Sequence, residues 1–359
     1  MKETIIFKNT VNVPSGLDNV AKMIYGALLC SDIVTPFLIQ NPDSSIRSAQ
    51  ERKALKDAKY NIIVGVPYSF EKYIEPNKIN IGYSMWETDK IPDSFDESLG
   101  KLDLLFVPTQ QNVDIFKSHC KRVEKLPVPC PMQKIPYINL DREKIYTFYS
   151  IYNWTERKSP LESILAFCEE FDPSENVRFV IKIKGASPGT NIQKEIKEML
   201  LRNNILSNPK VEIVVKAWTQ QEMNIFHRRS HCYVCLSKGE GFCLPLMDAY
   251  LFGNQVISTN CGVVEYLTKA KRLHLVKSKM TPVKNMGWFE YVDETHNWFN
   301  PDIKSTRKAM RTVFKNWENN KKIDIEEINK SNAEFLKKIG KNEFASKFDE
   351  ALKAQKSDN

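Results

Sequence analysis

The stretch SKGEGFCLPLMDAYLFGNQVIST, residues 237–259, decides how the rest of the chain is read. It runs strand end, glycine-containing turn, helix, glycine, strand. Gly239 and Gly241 permit a close backbone approach. The helix is expected to begin near Leu244 or Pro245, because proline suits a first turn. The backbone N–H groups of Phe242, Cys243 and Leu244 then point free at the helix start and form an anion site. A diphosphate fits there without a metal. Glu240 lies in the turn and Asp248 one turn into the helix. A carboxylate accepts two hydroxyl hydrogen bonds, which suits a sugar ring or a ribose diol. The same residue types also fit an ordinary turn before a helix whose acid favours the dipole.

Working outward, the strand CYVCLS (232–237) precedes the stretch, and TQQEMNIFHRR (219–229) precedes that as a helix. Further back the same alternation recurs. YTFYSIYN (146–153), VRFVIKIKG (177–185) and VEIVVKA (211–217) read as strands, SPLESILAFCEEF (159–171) and NIQKEIKEMLLRN (191–203) as helices. The first third repeats it. ETIIFK (3–8), NIIVGV (61–66), INIGYS (79–84) and LDLLFVPT (102–109) are strands, with helices at 15–29, 44–58 and 110–119. Such alternation predicts parallel sheets covered by helices. The proline-rich LPVPCPMQKIP (126–136) interrupts the pattern and is expected to join two α/β halves. The chain beyond about 302 reads as helical.

At 359 residues, with 42% hydrophobic and 27% charged residues, the chain suits two globular domains. No apolar run of about 18 residues occurs, and the N-terminus carries no leader-like stretch, so a cytoplasmic protein is expected. Its eight cysteines are read as reduced. Cys232 and Cys235 have metal-type spacing beside His231, but no second pair closes a tetrahedral site, so no metal is expected. The net charge is +8. Residues 1–140 hold 17 Lys/Arg against 16 Asp/Glu, leaving 35 against 28 beyond them. That excess suits an anionic ligand, a nucleic acid or an anionic membrane surface, and equally a solvated lysine-rich face.

The stretch GEGFCLPLMDAYLFGNQVIST resembles the donor-site motif of retaining GT-B glycosyltransferases of the family 4 type. That pattern is E-G-F-G-L-P, then a second acid, then G-x-P-V-I. Here Glu240 is the first acid and Asp248 a shortened second one. Cys243 stands where glycine is common, and Gln255 where proline is. NWTERKSPLESILAFCEEF (153–171) resembles the family's basic segment before a helix. Lys158 matches its phosphate-binding lysine and Arg157 is the neighbour. The arginine usual six residues earlier is replaced by Tyr152. WTQQEMNIFHRRSHCYVCLS, CGVVEYL (261–267) and SGLDNVAKMIYGAL, with its Gly16 loop, resemble further parts. MWETDKIPDSF (85–95) resembles an acceptor-domain segment.

The resemblance implies two Rossmann-like domains facing a cleft. These would be an acceptor-side domain over 1–140, a nucleotide-sugar domain over 141–335 and a C-terminal helix over 336–359 crossing back. It implies retaining, metal-independent transfer from a nucleotide-diphosphate sugar, with no cofactor. Lys158 and the helix-start amides would stabilise the diphosphate, Glu240 would hold sugar hydroxyls and Asp248 the ribose. Lys182 or Lys184 are possible helpers, with an exposed strand-end role favoured for both. Tyr83, Trp86 and Glu87 are acceptor-side candidates, against core packing for Trp86 and an ordinary loop acid for Glu87. The acceptor is expected to be a glycan, a lipid-linked sugar or a protein. A modified DNA base is the second reading, from the basic runs at 269–279 and 304–311, and a non-catalytic binding protein the third. Peripheral membrane contact is compatible with the charge.

Overall fold

The computed structural model describes residues 2–11, 15–132, 142, 144–186, 189–284, 291–319 and 324–357. The chain forms two compact units. The first comprises 1–86, 90–134 and 333–359, and the second 87–89 and 135–332. The division expected at 140/141, and the end of the proline-rich linker from Gln133, lie outside the described residues.

In the first unit, β1 (Glu3–Asn9) leads through α1 (Gly16–Leu28) to β2 (Val34–Leu38). Then follow α2 (Ala49–Asp57), β3 (Tyr60–Val64), β4 (Ile79–Tyr83), α3 (Asp96–Gly100), β5 (Leu104–Val107), α4 (Gln110–Phe116) and β6 (Val123–Lys125). The strands form one parallel sheet in the order β2-β1-β3-β4-β5-β6. Its central strands are buried on both faces, which is why they read as near-continuous apolar runs. Ser15 caps α1 and Ser48 closes a capping box on α2. That box starts α2 at Ala49 rather than at 44 as the sequence pattern suggested. β2 and β6 were not anticipated: VTPFL contains a proline, which an edge strand tolerates, and VEK is too short to show a period.

The second unit runs β7 (Tyr146–Trp154), α5 (Pro160–Glu170), β8 (Val177–Ala186), α6 (Ile192–Arg202), β9 (Lys210–Val215), α7 (Gln220–Arg229) and β10 (Cys232–Cys235). It continues with α8 (Leu244–Leu251), β11 (Gln255–Ser258), β12 (Leu273–Leu275), the antiparallel hairpin β13 (Ser278–Pro282) and β14 (Asn297–Pro301), and α9 (Ile303–Glu318). The division between units falls within α10 (Ile325–Ile339), and α11 (Lys341–Ser357) belongs to the first unit. There α11 packs on α1, and Asp349 accepts hydrogen bonds from Ser31 Oγ (2.5 Å) and the Asp32 amide (2.7 Å).

The second sheet has the order β12-β11-β10-β7-β8-β9, all parallel. The chain therefore winds outward from β7 to β9, then returns to β10 on the other side of β7. That reversal is a topological switch point, and ligands of open α/β sheets bind outside the strands' carboxyl ends there. The carboxyl end of β7 carries a 3₁₀ turn, Glu156–Lys158, and that of β10 carries the Gly239–Phe242 turn. A cluster of Phe148, Phe167, Phe171, Phe179 and Phe314 packs on one side of this sheet. On the other, Tyr149, His227 and Asn254 form a buried hydrogen-bonded set. Asn254 Nδ2 donates to Tyr149 Oη (2.6 Å) and to the His227 carbonyl (2.9 Å). Burial pushes the His227 and His231 imidazoles down to about 3, so both stay neutral in the core.

Candidate functional site

The switch point brings together the residues that the sequence singled out in two separate stretches. Lys158 Nζ donates to Glu240 Oε1 at 2.5 Å, and Arg157 Nη1 lies 3.6 Å from Glu240 Oε2. The Glu240 side chain is only 6% exposed, so its charge is held by these two cations rather than by water. Burial alone raises a carboxyl group, but Lys158 and Arg157 outweigh it and hold Glu240 below the ordinary carboxylate range. The cations respond in kind. Burial lowers both, yet Glu87 and Glu240 leave Arg157 above its usual value, and Glu240 does the same for Lys158.

Backbone bonds fix the two turns against each other. Arg157 Nη1 donates to the Gly239 carbonyl (2.6 Å), and the Lys238 amide donates to the Arg157 carbonyl (2.7 Å). Ser237 Oγ reaches the Arg157 and Gly239 carbonyls at 3.2 and 3.1 Å. Thr259 Oγ1 holds the Ser237 carbonyl from β11's end at 2.5 Å. Lys238, which drew no attention in the sequence although it adjoins the motif, is 5% exposed. It pairs with Glu156 (3.2 Å) and Glu162 (3.1 Å) and lies 5.0 Å over the Trp298 ring.

α8 begins at Leu244, with Cys243 at its N-cap and Pro245 in its first turn. Cys243 is left-handed, at φ 72°, which explains why glycine suits this position and which a cysteine adopts only under strain. Among the described residues no group accepts from the amides of Phe242, Cys243 or Leu244. Gly262, at φ 67°, lies where an added Cβ would stand 2.7 Å from the Phe242 carbonyl. The Val263 amide donates to that same carbonyl at 2.6 Å. At the far end Arg272 is buried, stacks 3.8 Å over Tyr250 and donates to the Tyr250 and Asn254 carbonyls (2.7 and 3.1 Å). A cation there complements the helix dipole. One member of the 269–279 basic run is thus a structural cap.

Asp248 is half-buried on α8, and no described group bonds its carboxylate. Burial without a cation pushes it up to about 7. The two acids thus differ: Glu240 is ionised and clamped, Asp248 is unclamped and titrates near neutrality.

Gly239 does not leave room for a ligand as expected. Its absent Cβ would stand 1.8 Å from the Glu87 carbonyl, so the glycine admits the segment Glu87–Asp89. Glu87 Oε1 lies 3.0 Å from Arg157 Nη2, and Asp89 accepts from Asn297's amide (2.7 Å) and Nδ2 (2.8 Å). Glu87, expected on the acceptor side or as a loop acid, is a partner of Arg157. Tyr83 and Trp86 sit in the first unit's core. Tyr83 Oη donates to the Leu126 carbonyl at 2.8 Å, and Trp86 Nε1 to Lys90's carbonyl at 2.6 Å with its ring edge-on to Phe95. Both side chains are buried, as the core-packing reading of Trp86 expected. At Gly16 a Cβ would meet nothing within 4 Å and φ is not positive, so the turn needs no glycine. Lys182 is buried beneath Trp218 (5.7 Å), not at an exposed strand end, while Lys184 is exposed.

The metal spacing of Cys232 and Cys235 does not bring them together with His231. Instead Cys235 Sγ, Cys243 Sγ and a Glu240 oxygen lie within 4.8 Å of one another. That donor set could ligate a soft cation, but Lys158 already occupies the carboxylate.

Solved structures share this architecture. TarM of S. aureus, crystallised with UDP and α-GlcNAc-glycerol, is 15% identical with a TM-score of 0.58, over 80% of this chain and 54% of that one. The α,α-trehalose-phosphate synthase (UDP-forming) of Burkholderia xenovorans is 11% identical with a TM-score of 0.61, over 98% of this chain and 100% of that one. The fold is GT-B. A third GT-B structure, the pneumococcal O-GlcNAc transferase GtfA with UDP and GlcNAc, is 12% identical with a TM-score of 0.54, over 85% and 59%. The chain spans about half the length of the TarM chain. No family model matches the sequence, and no curated protein matches it. Among the described residues no helix is long and apolar enough to cross a membrane.

Proposed function

We propose that the chain is a retaining glycosyltransferase taking its sugar from a nucleotide-diphosphate sugar bound at the carboxyl ends of β7 and β10. The observation that carries this is the buried Lys158–Glu240 pair, 2.5 Å across, beside the unbonded amides that open α8. The GT-B neighbours support the donor class, since TarM and GtfA were crystallised with UDP. Charge develops on the diphosphate as the glycosidic bond breaks. Lys158 and the amides of Phe242, Cys243 and Leu244, backed by Gly241's turn, meet it with preorganised donors. Glu240 accepts from sugar hydroxyls, and Asp248 accepts from the ribose diol. The leaving phosphate takes the acceptor proton, so no separate base is needed. Retention rests on the family resemblance and on trehalose-6-phosphate synthase, a GT-B enzyme that transfers with retention. Two cations already beside the phosphate position support transfer without a metal or cofactor.

The acceptor is a glycan, a lipid-linked sugar or a protein, and the protein works in the cytoplasm. The DNA reading loses its strongest residues. Arg307 and Arg311 pair with Glu169, Glu170 and Glu175, Lys271 pairs with Glu327, and Arg272 is internal. The test is a panel of UDP-, GDP- and ADP-sugars with chelator present. The released nucleoside diphosphate and the anomeric configuration of the sugar product are followed by NMR. A diphosphate released with an inverted product contradicts retention. Turnover that vanishes with chelator contradicts metal independence, and no turnover of any donor contradicts the enzyme.

A further inference from the structure

β10 and α8 each carry a cysteine at the donor-side turn, and the turn folds the two together. Cys235 ends the strand and is buried; Cys243 opens the helix and is half-buried. Their sulfurs stand 3.7 Å apart, so the two side chains converge as a disulfide requires. A disulfide would close this gap to a bond of about 2.05 Å. The nearby Cys261 faces elsewhere, its sulfur on the Ser237 carbonyl (3.7 Å) and Thr259 Oγ1 (3.4 Å).

We propose that Cys235 and Cys243 are a redox pair, which a peroxide-class oxidant converts to a disulfide that locks the start of α8 to the end of β10. Cys235 as thiolate attacks a peroxide oxygen, the O–O bond breaks, and a Cys235 sulfenic acid and hydroxide form. The Cys243 sulfur then attacks the Cys235 sulfur, and hydroxide leaves with the Cys243 proton as water as the S–S bond forms. Two thiols and hydrogen peroxide give one disulfide and two waters, the sulfurs being oxidised and the peroxide reduced.

The surroundings favour this chemistry over a bound cation. The thiol of Cys243 donates to Cys235 and holds that sulfur's proton affinity below the ordinary thiol range, despite burial and with Lys158 assisting. The pair thus offers the thiolate that attack needs. Lys158 at 2.5 Å and Arg157 at 3.6 Å on Glu240 already put positive charge where a third metal ligand would be required.

The consequence for binding rests on the proposed donor site; the bond itself does not. Cys243 supplies one of the amides meant for the diphosphate, so fixing its side chain moves a donor-binding group. The test treats the full chain with hydrogen peroxide and maps linked peptides by mass spectrometry under non-reducing conditions. Thermal stabilisation by UDP, and by GDP and ADP, is read before oxidation, after it and after dithiothreitol. Expected are a Cys235–Cys243 linked peptide short of two hydrogens and loss of the UDP shift, both reversed by dithiothreitol. In Cys235→Ser, peroxide should yield no linked peptide and should leave that variant's own UDP shift where it began. Linkage to another cysteine, or Cys235 passing to sulfinic acid unlinked, overturns the pair. A mapped disulfide with an unchanged UDP shift overturns the lock. A reduced protein that responds to none of UDP, GDP and ADP overturns the donor reading and leaves the mapped bond standing.

Discussion

Glu240 and Asp248 stand eight positions apart and meet opposite electrostatic fates. Glu240 is clamped by Lys158 and Arg157, so removing Lys158 removes part of a buried charge's support and, in the proposed transfer, a transition-state donor. Lys158→Met is expected to lower kcat by about 10²–10³-fold, the usual cost of one oxyanion-type donor, measured in donor hydrolysis or transfer. Asp248 behaves differently. Its folded pKa of about 7 lies above the ordinary 3.8. The folded state therefore holds this proton more tightly than the unfolded state, and stability falls as pH rises between these two values and stays reduced above. Asp248→Asn should remove that dependence. We expect it to gain about 1–2 kcal/mol over wild type above pH 7, after allowance for partial exposure. Below about pH 4 it should gain nothing. Denaturant titration across pH checks this, and the same variant should bind nucleotide more weakly.

Turns and helix ends carry the site at the element scale. Gly239 admits the Glu87 carbonyl at 1.8 Å from an ideal Cβ, and that neighbour is backbone, which cannot swing aside. Gly239→Ala is expected to cost about 1–3 kcal/mol as overpacking. It should also weaken the Arg157–Glu87 pair, so thermal unfolding and donor KM both move. Gly262→Ala combines a positive φ with a 2.7 Å clash against the Phe242 carbonyl and should act on the same turn. The strand, turn and helix over 232–251 were legible because proline, glycine and the apolar runs each point one way. The purposes of Gly239 and Glu87 were not, because their contact joins residues 152 positions apart, and no local pattern records it. Lys238 was missed for the same reason: its acids and Trp298 come from other elements. The burial of Tyr83 and Trp86 was not legible, since an aromatic beside an acid reads alike whether it packs or binds.

On the scale of the whole molecule, strand order does the positioning. The order in the second unit, with its reversal between β7 and β10, lays two turns from stretches 82 residues apart side by side, as the Lys158–Glu240 bond shows. Alternating strands and helices made the fold class legible, whereas strand order is set by tertiary packing. The C-terminal helix belongs to the first unit's core. Phe348 is fully buried and packs 5.4 Å from Phe106, so Phe348→Ala is expected to cost about 3–5 kcal/mol in denaturant unfolding. The positive excess beyond residue 140 was legible as a sum. Its use was not, because Arg272, Arg307 and Arg311 are engaged internally. The central claim is that a nucleotide diphosphate binds at the ends of β7 and β10. Isothermal titration of UDP, and of GDP and ADP, into wild type and Lys158→Met tests it most directly. Saturable one-to-one binding of one nucleotide to wild type, strongly weakened in Lys158→Met, is the result expected; equal affinity in both proteins, or no binding of any of the three to wild type, would contradict it.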